Sequence, residues 1–254
     1  MLRFFRSIRR KLFSEGKAAN YTGYAIGEIL LIVVGILIAL QISDWNEDRK
    51  KSEKEIEILK AIKSELEGDL TNLEAVTRIH ERIVNSAEVI ISHIEQDLPY
   101  EDSLSRHFFL SSNSSIRLYS TAAFETLKSL GVDLISNDTL RQKIIRLYDR
   151  WYLYMDSFQD NLENLWRDRI SVVYRGRFEE AINYKYAEHG PGGGGGTMSP
   201  VDFEALKKDQ TYSYDIKTIR NQHKFYLERH CYEMKTRIDE LVAHIGEEIQ
   251  RLEE

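Results

Sequence analysis

The stretch YAIGEILLIVVGILIALQISDW, residues 24–45, decides how the chain is built. Twelve of the nineteen residues 24–42 are Ile, Leu or Val, and no Lys or Arg interrupts the stretch. At about 1.5 Å per residue its length comes to roughly 31 Å, about the thickness of the hydrocarbon core of a bilayer. The sequence therefore predicts one transmembrane helix, and the low mean hydropathy of the whole chain leaves room for no second span.

Charge is distributed unevenly on the two sides of this stretch. Residues 1–22 hold six Lys or Arg and one Glu, whereas the whole chain carries a formal charge of −6. By the positive-inside rule the basic start stays in the cytoplasm and the acidic remainder crosses the membrane. We therefore predict a cytoplasmic arm at 1–20, a transmembrane helix at 21–44 and a periplasmic region at 45–254 of a bacterial inner-membrane protein. An acidic exported region also argues against nucleic acid as a partner.

The first thirteen residues, MLRFFRSIRRKLF, place apolar side chains at helical spacing among basic ones. This pattern is typical of a short helix lying in the lipid headgroup region, although an unstructured basic tail is the alternative. A cleaved signal peptide also begins in this way, but no small-residue cleavage pattern follows Ala39, which favours an uncleaved anchor. The predicted membrane-interface residues are Arg3, Arg6, Arg9, Arg10, Lys11, Tyr24 and Trp45.

Two polar residues interrupt the apolar stretch, Glu28 near its cytoplasmic end and Gln41 near the other. Insertion tolerates one carboxylate, because it costs at most about 3 kcal/mol whereas the twelve aliphatic residues contribute roughly 4–7 kcal/mol in favour. Glu28 is either a protonatable or ion-binding carboxylate that faces a partner helix, or a snorkelling or interhelical hydrogen-bonding group. Gln41 is a second candidate for a polar contact between helices.

Small residues recur in the same stretch at spacings of four and eight. Such spacing lets two helix backbones approach closely in a membrane. We predict a helix-packing face, and hence self-association or contact with another membrane protein, at Gly23, Gly27, Gly35 and Ala39.

The amino-terminal segments resemble a family of uncharacterised single-span proteins of gram-negative bacteria. The resemblance lies in YAIGEI at residues 24–29, GILIALQI at 35–42 and WNE at 45–47, and more loosely in AFETLKSLG at 123–131 and LISNDTLR at 134–141. It implies an inner-membrane anchor with a helical exported domain, and it implies no activity or substrate.

The exported region reads as all-α. Apolar residues three or four apart predict a long helix from Asn46 to about Asp97, ended by Pro99. A short helix at 122–130 is expected, capped by Thr121 and closed by Gly131, and Asn137 or Asp138 opens a helix that runs to about Tyr184. A last helix covers residues 214–253, and an antiparallel bundle is the economical architecture.

Two further features of this region, an aromatic stripe and a glycine-rich segment, indicate structural roles. The aromatic stripe of the helix that contains Trp151 and Met155 is more typical of a core than of a ligand pocket. The glycine-rich segment 189–200 predicts a flexible connection without regular structure.

Catalytic and metal-binding signatures are missing from the sequence. No HExxH, GxSxG or phosphate-binding glycine pattern occurs, and the single Cys231 excludes a cysteine-rich metal site. His223 and His230 share a helix face, but a pair without a placed carboxylate fits a core role better than a metal site. We expect no enzyme activity, no cofactor and no metal, and the sequence identifies no small-molecule substrate.

The leading hypothesis is an inner-membrane protein whose periplasmic bundle is an interaction or scaffold module in a homo-oligomer or envelope complex. The alternatives are a proton- or ion-handling subunit that uses Glu28, and a periplasmic ligand-sensing bundle.

Overall fold

The computed structural model describes residues 18–113, 119–180, 183–184 and 195–254, with side chains from Glu28 onward except at scattered positions between 159 and 184. Nearly all of these residues are helical, which confirms the all-α prediction. The helices are α1 (Ala18–Glu95), α2 (Ser103–Ser111), α3 (Ala122–Leu130), α4 (Asp138–Arg146), α5 (Leu153–Arg169), α6 (Phe203–Lys208), α7 (Gln210–Tyr226) and α8 (Glu233–Glu253).

Shorter elements connect these helices. A 3-10 turn covers Val132–Leu134, and three segments have π-helical hydrogen bonding: π1 (Leu147–Tyr152), π2 (Ile170–Tyr174) and π3 (Leu227–Tyr232). Two short antiparallel strands, β1 (Asn183–Tyr184) and β2 (Gly196–Thr197), pair with Asn183 opposite Thr197.

The chain divides into two compact units, Met1–Lys54 and Glu55–Glu254. The described part of the first unit is helical, and every residue at 28–51 is exposed. The predicted cytoplasmic arm falls almost wholly outside the described residues.

The second unit is built on two hydrophobic clusters. One joins α1 to α3, α4, π1, π3 and α8, and it includes the fully buried Leu59, Ile62 and Leu66. The other joins the end of α1 to α2, α6 and α7, around Phe108 and Tyr212. The apolar spacing of three and four that predicts α1 is thus the spacing that fills these clusters. The predicted end of this helix near Asp97 agrees with the observed end at Glu95, and Asp97 takes a φ of 53°.

The prediction that the helix beginning near Asn137 runs to about Tyr184 is wrong. The helix stops at Tyr174, and Gly176 then adopts a φ of 76°, a left-handed conformation that ends a helix. Phe178 next forms a bridge with Pro200 and is buried in the second cluster. Burial of this aromatic side chain outweighs the helical pattern that continues past it in the sequence.

The glycine-rich segment 189–200 is also more ordered at its end than predicted. Gly196 and Thr197 form β2, and Met198 is 1% exposed in the second cluster. The backbone of Met198 donates a hydrogen bond to the carbonyl of Ser105, 2.9 Å away. Residues 189–194 lie outside the described part of the chain.

Helix α3 has the predicted bounds, but its predicted cap is wrong. Thr121 occupies the N-cap position without a side-chain hydrogen bond to the helix. Instead, the Glu65 carboxylate of α1 accepts a hydrogen bond from the Ala123 amide at 2.9 Å, which satisfies a donor at the helix start. Asn137 does cap α4, since its side chain accepts from the Leu140 amide at 3.1 Å.

Candidate functional site

From Glu28 onward the apolar stretch is exposed along its whole length. From Ile29 to Trp45 the large hydrophobic side chains are 44 to 74% exposed. By length and composition, the helix containing them is the one in the described residues that is able to cross a membrane. A soluble core helix of this composition would be buried, and this one has no buried residue in its apolar window.

The predicted intramembrane residues lie along this exposed surface. Glu28, Gly35, Ala39, Gln41 and Trp45 are all exposed on α1. A Cβ atom added at Gly35 would meet nothing within 4 Å, so no described part of the chain requires a glycine there.

The remaining predicted membrane residues are not placed. Gly23, Tyr24 and Gly27 belong to α1, but their side chains lie outside the description. The basic residues Arg3, Arg6, Arg9, Arg10 and Lys11 lie outside the described residues.

In the second unit, the partly buried Glu65 and the buried Asp69 of α1 hold segments that pack against this helix. Besides the Ala123 amide, Glu65 accepts a hydrogen bond from the Tyr148 hydroxyl at 3.0 Å. Asp69 is 4% exposed and accepts from the Ser120 amide at 3.1 Å and from the Tyr152 hydroxyl at 2.5 Å. Burial and the neighbouring Glu65 raise the pKa of Tyr148, which keeps that hydroxyl a donor.

A second pair of buried carboxylates holds the start of α4. Glu55 accepts hydrogen bonds from the Ser136 amide and hydroxyl at 2.8 and 3.0 Å. Glu248 of α8 accepts from Asn137 at 2.8 Å and from Arg251 at 2.6 Å, and both contacts lower the pKa of its carboxyl. These contacts bind the segments 123–131 and 134–141, so their role is structural.

His223 and His230 are 3% and 1% exposed, which agrees with the predicted core role. His223 pairs with His80 of α1 through their Nδ1 atoms, 2.7 Å apart, whereas His230 lies against the Met155 sulfur at 3.2 Å. Within the described residues no group of three or more His, Cys, Asp or Glu side chains is arranged to hold a metal ion.

A cavity with both apolar and charged lining lies between two of the π-helical segments. It measures about 380 Å³. One wall consists of Arg150, Trp151, Tyr154 and Met155, from π1 and the start of α5, and the other consists of Arg229, His230, Glu233, Met234 and Arg237, from π3 and the start of α8. We name it the π pocket.

The floor and the rim of the π pocket differ in chemistry. Met155, Met234 and His230 are 1 to 4% exposed and form the floor, whereas Arg150, Arg229 and Tyr154 are exposed at the rim. The prediction that Trp151 and Met155 belong to the core is confirmed, since Met155 is part of the first cluster and Trp151 packs against it, but helical spacing does not show that the same residues line a cavity. A signal was present, since RWYLYM at residues 150–155 and RHCYEM at 229–234 share an Arg five residues before a Met.

The guanidinium of Arg237 connects the two walls. It stacks on the Trp151 ring with its central carbon 3.8 Å from the ring centroid, within the range of a cation–π contact. One of its terminal nitrogens donates to Glu233 at 2.6 Å, and this bond lowers the pKa of Glu233. Glu233 is therefore ionised at neutral pH, and three arginines against one carboxylate leave the pocket with a net positive charge.

Comparison with protein-family models gives a match over residues 28–188, which is more than half of the chain. The chain belongs to DUF6090, a family of unknown function. The DUF6090 match covers the apolar stretch, the carboxylate contacts of Glu65 and Asp69, and the wall of the π pocket that carries Trp151. The wall that carries Arg237 lies beyond the matched residues. Comparisons with curated proteins and with solved structures gave no match.

Proposed function

We propose that this DUF6090 protein is a single-span inner-membrane protein whose unit Glu55–Glu254 is a periplasmic helical bundle that serves as an interaction or scaffold module. The observation that carries this proposal is the fully exposed apolar stretch. Burying one Leu, Ile or Val side chain contributes about 1.5–3 kcal/mol. Eleven such side chains lie more than two-fifths exposed between Ile29 and Ile42. Their exposure to water therefore costs on the order of 10 kcal/mol, comparable to the whole stability of a folded domain.

The direction of insertion follows from charge. The basic residues before the stretch favour a cytoplasmic amino terminus, and the acidic remainder is compatible with export. Gly35 and Ala39 support association with a second helix, because an exposed glycine with open space around it permits close approach of another backbone. A homo-oligomer or an envelope complex is the assembly that we propose.

Cysteine labelling tests both the span and its direction. Cys231 is 1% exposed, so a Cys231→Ser chain provides a background without thiols. A membrane-impermeant maleimide added to intact spheroplasts should label Ser64→Cys, whereas Ser14→Cys should react only after lysis. Labelling of Ser14→Cys in intact spheroplasts would reverse the proposed topology, and extraction of the unlabelled protein by alkaline carbonate would exclude the span.

A second function is favoured by one observation. Glu28 is a carboxylate inside an otherwise apolar exposed surface, and an intramembrane carboxylate is characteristic of proton and ion pathways. Glu28→Gln separates the two functions because it keeps a hydrogen-bonding side chain and removes the charge. Under the scaffold proposal the variant assembles and functions normally. Loss of function with assembly preserved would instead favour ion handling.

A further inference from the structure

The π pocket has features of a ligand site that its packing alone does not require. The floor residues Met155 and Met234 belong to the first hydrophobic cluster, whereas the arginines above them do not. The pocket lies at the margin of the first cluster and is open at its rim. Its volume of about 380 Å³ falls within the common range of small-molecule sites, roughly 300–1,000 Å³.

We propose that the π pocket binds a small organic anion, a carboxylate or phosphate joined to an aromatic or short apolar body. The apolar body rests on the sulfur-lined floor, and the anionic group meets the arginines of the rim. This proposal goes beyond the membrane-anchored scaffold and does not depend on it, because every residue involved belongs to the second unit.

The floor provides the apolar half of the recognition. Met155 and Met234 are 4 and 3% exposed, and thioether side chains adapt to flat rings and make favourable sulfur–aromatic contacts. Tyr154 is 50% exposed at the rim, where it is able to cover a bound ring. An apolar ligand of about one ring matches the volume between these groups.

The rim provides the anionic half. Arg150 and Arg229 are exposed, and the guanidinium of Arg150 lies 5.7 Å from the centroid of the Trp151 ring. Guanidinium forks match the geometry of carboxylate and phosphate. Arg237 is fixed in place by Trp151 and Glu233. Among the described residues, no group accepts a hydrogen bond from the buried Nε of Arg237, so this guanidinium retains a donor that Glu233 does not use.

The backbone conformation of both pocket walls is a further observation in favour of a ligand site. Arg150 and Trp151 lie in π1, and Arg229 and His230 lie in π3. Segments with π-helical hydrogen bonding are rare and are often found at functional sites. In each wall the π segment supplies an Arg at the rim, and the Met five residues later lies on the floor.

The test uses the full-length protein in nanodiscs and three probes of similar size, phenylacetate, phenylphosphate and benzyl alcohol. Calorimetric titration measures the dissociation constants. At least one of the two anions should bind more tightly than benzyl alcohol by about tenfold or more, because a charge-assisted contact contributes a difference of this size. The preference between phenylacetate and phenylphosphate distinguishes a carboxylate ligand from a phosphate ligand. Equal affinity for benzyl alcohol would overturn the anion proposal.

Variants then locate the binding. Arg237→Met keeps an apolar contact with Trp151 and removes the charge, so it should weaken anion binding about tenfold or more. The control is Arg82→Met, at an exposed arginine of α1 outside the pocket, which should change the binding less than twofold. If Arg237→Met fails to fold by near-ultraviolet circular dichroism, the exposed Arg150→Met replaces it and should also weaken binding severalfold. Binding that is unchanged in the folded variants, or absent at millimolar concentrations of both anions, would overturn the proposal.

Discussion

Helix α1 contains two apolar patterns, and they lead to opposite environments. At residues 29–42 the aliphatic side chains are nearly continuous and all are exposed, whereas beyond Glu55 they recur every three or four residues and are buried. Leu31 is 74% exposed and Leu66 is 0% exposed, although both are leucines in one regular helix. The spacing of apolar residues, and not the secondary structure, therefore indicates which part of a helix packs against its own chain.

The largest effect is expected when charged residues are placed among the continuous aliphatic residues 29–42. Lysine near the centre of a span costs about 2.5–3.5 kcal/mol, so Val33→Lys with Leu37→Lys offsets nearly all of the roughly 4–7 kcal/mol that favours insertion. We expect this double variant to lose membrane association while the unit Glu55–Glu254 stays folded.

Alkaline carbonate extraction followed by sedimentation measures this loss. Val33→Leu with Leu37→Ile is the matched control and should remain in the membrane fraction. A double-lysine variant that sediments like the control would show that residues 24–45 are not the anchor.

Truncating one leucine in each part of α1 compares the two parts by their effect on the free energy of unfolding. Leu66→Ala should lower the free energy of unfolding of the second unit by about 2–5 kcal/mol, because it leaves a cavity in the first cluster. Leu31→Ala removes the same atoms from an exposed position and should leave that free energy unchanged. Denaturant titration of the full-length protein, followed by circular dichroism, measures both, and similar losses in the two variants would contradict the division into units.

The carboxylate contacts of α1 should have a smaller effect. Asp69→Asn replaces an acceptor for the Ser120 amide and the Tyr152 hydroxyl by an amide that accepts with one oxygen only. We expect a loss of about 1–3 kcal/mol in the same titration. Glu67→Gln, two residues away and exposed, is the control and should fall within about 0.5 kcal/mol of the parent protein.

The smallest expected effect is the contribution of Glu248 to the pH dependence of the free energy of unfolding. Because Asn137 and Arg251 lower the pKa of Glu248 below its ordinary value of 4.5, the ionised carboxylate stabilises the fold fully above pH 4.5. That contribution is lost as the pH falls through the lowered pKa. Glu248→Gln should cost about 1 kcal/mol at neutral pH and reduce the loss of stability in acid. A variant with the acid dependence of the parent protein would exclude Glu248 as its source.

Local patterns in the sequence were sufficient for several parts of the fold. The apolar run, the bounds of α3 and the Asn137 cap all depend on residues within a few positions of each other. The cap of α3 was not predictable in this way, since Glu65 is far from Ala123 in sequence and displaces the Thr121 side chain from that role. The pairing of Asn183 with Thr197 is likewise a contact between distant segments.

The candidate site was harder to predict than the fold. Helical periodicity places Trp151 and Met155 on one stripe with buried residues, and it does not distinguish a pocket floor from a core. What distinguishes them is the stacking of Arg237 on Trp151, which joins residues more than eighty positions apart. The repeated Arg and Met spacing in RWYLYM and RHCYEM was a signal that becomes meaningful once the two segments face each other.

The π1 segment also has a consequence for how DUF6090 sequences diverge. A turn with i to i+5 hydrogen bonds contains one residue more than the α-helical turn that would replace it. Deleting a single residue within Leu147–Tyr152 would restore regular winding and leave the helix beyond it in about its present orientation, because the wide turn absorbs the extra residue. Met155 would keep its place on the pocket floor, whereas side chains inside the turn would shift, so a one-residue gap at this place in a relative should mark a changed pocket wall at Arg150 and Trp151.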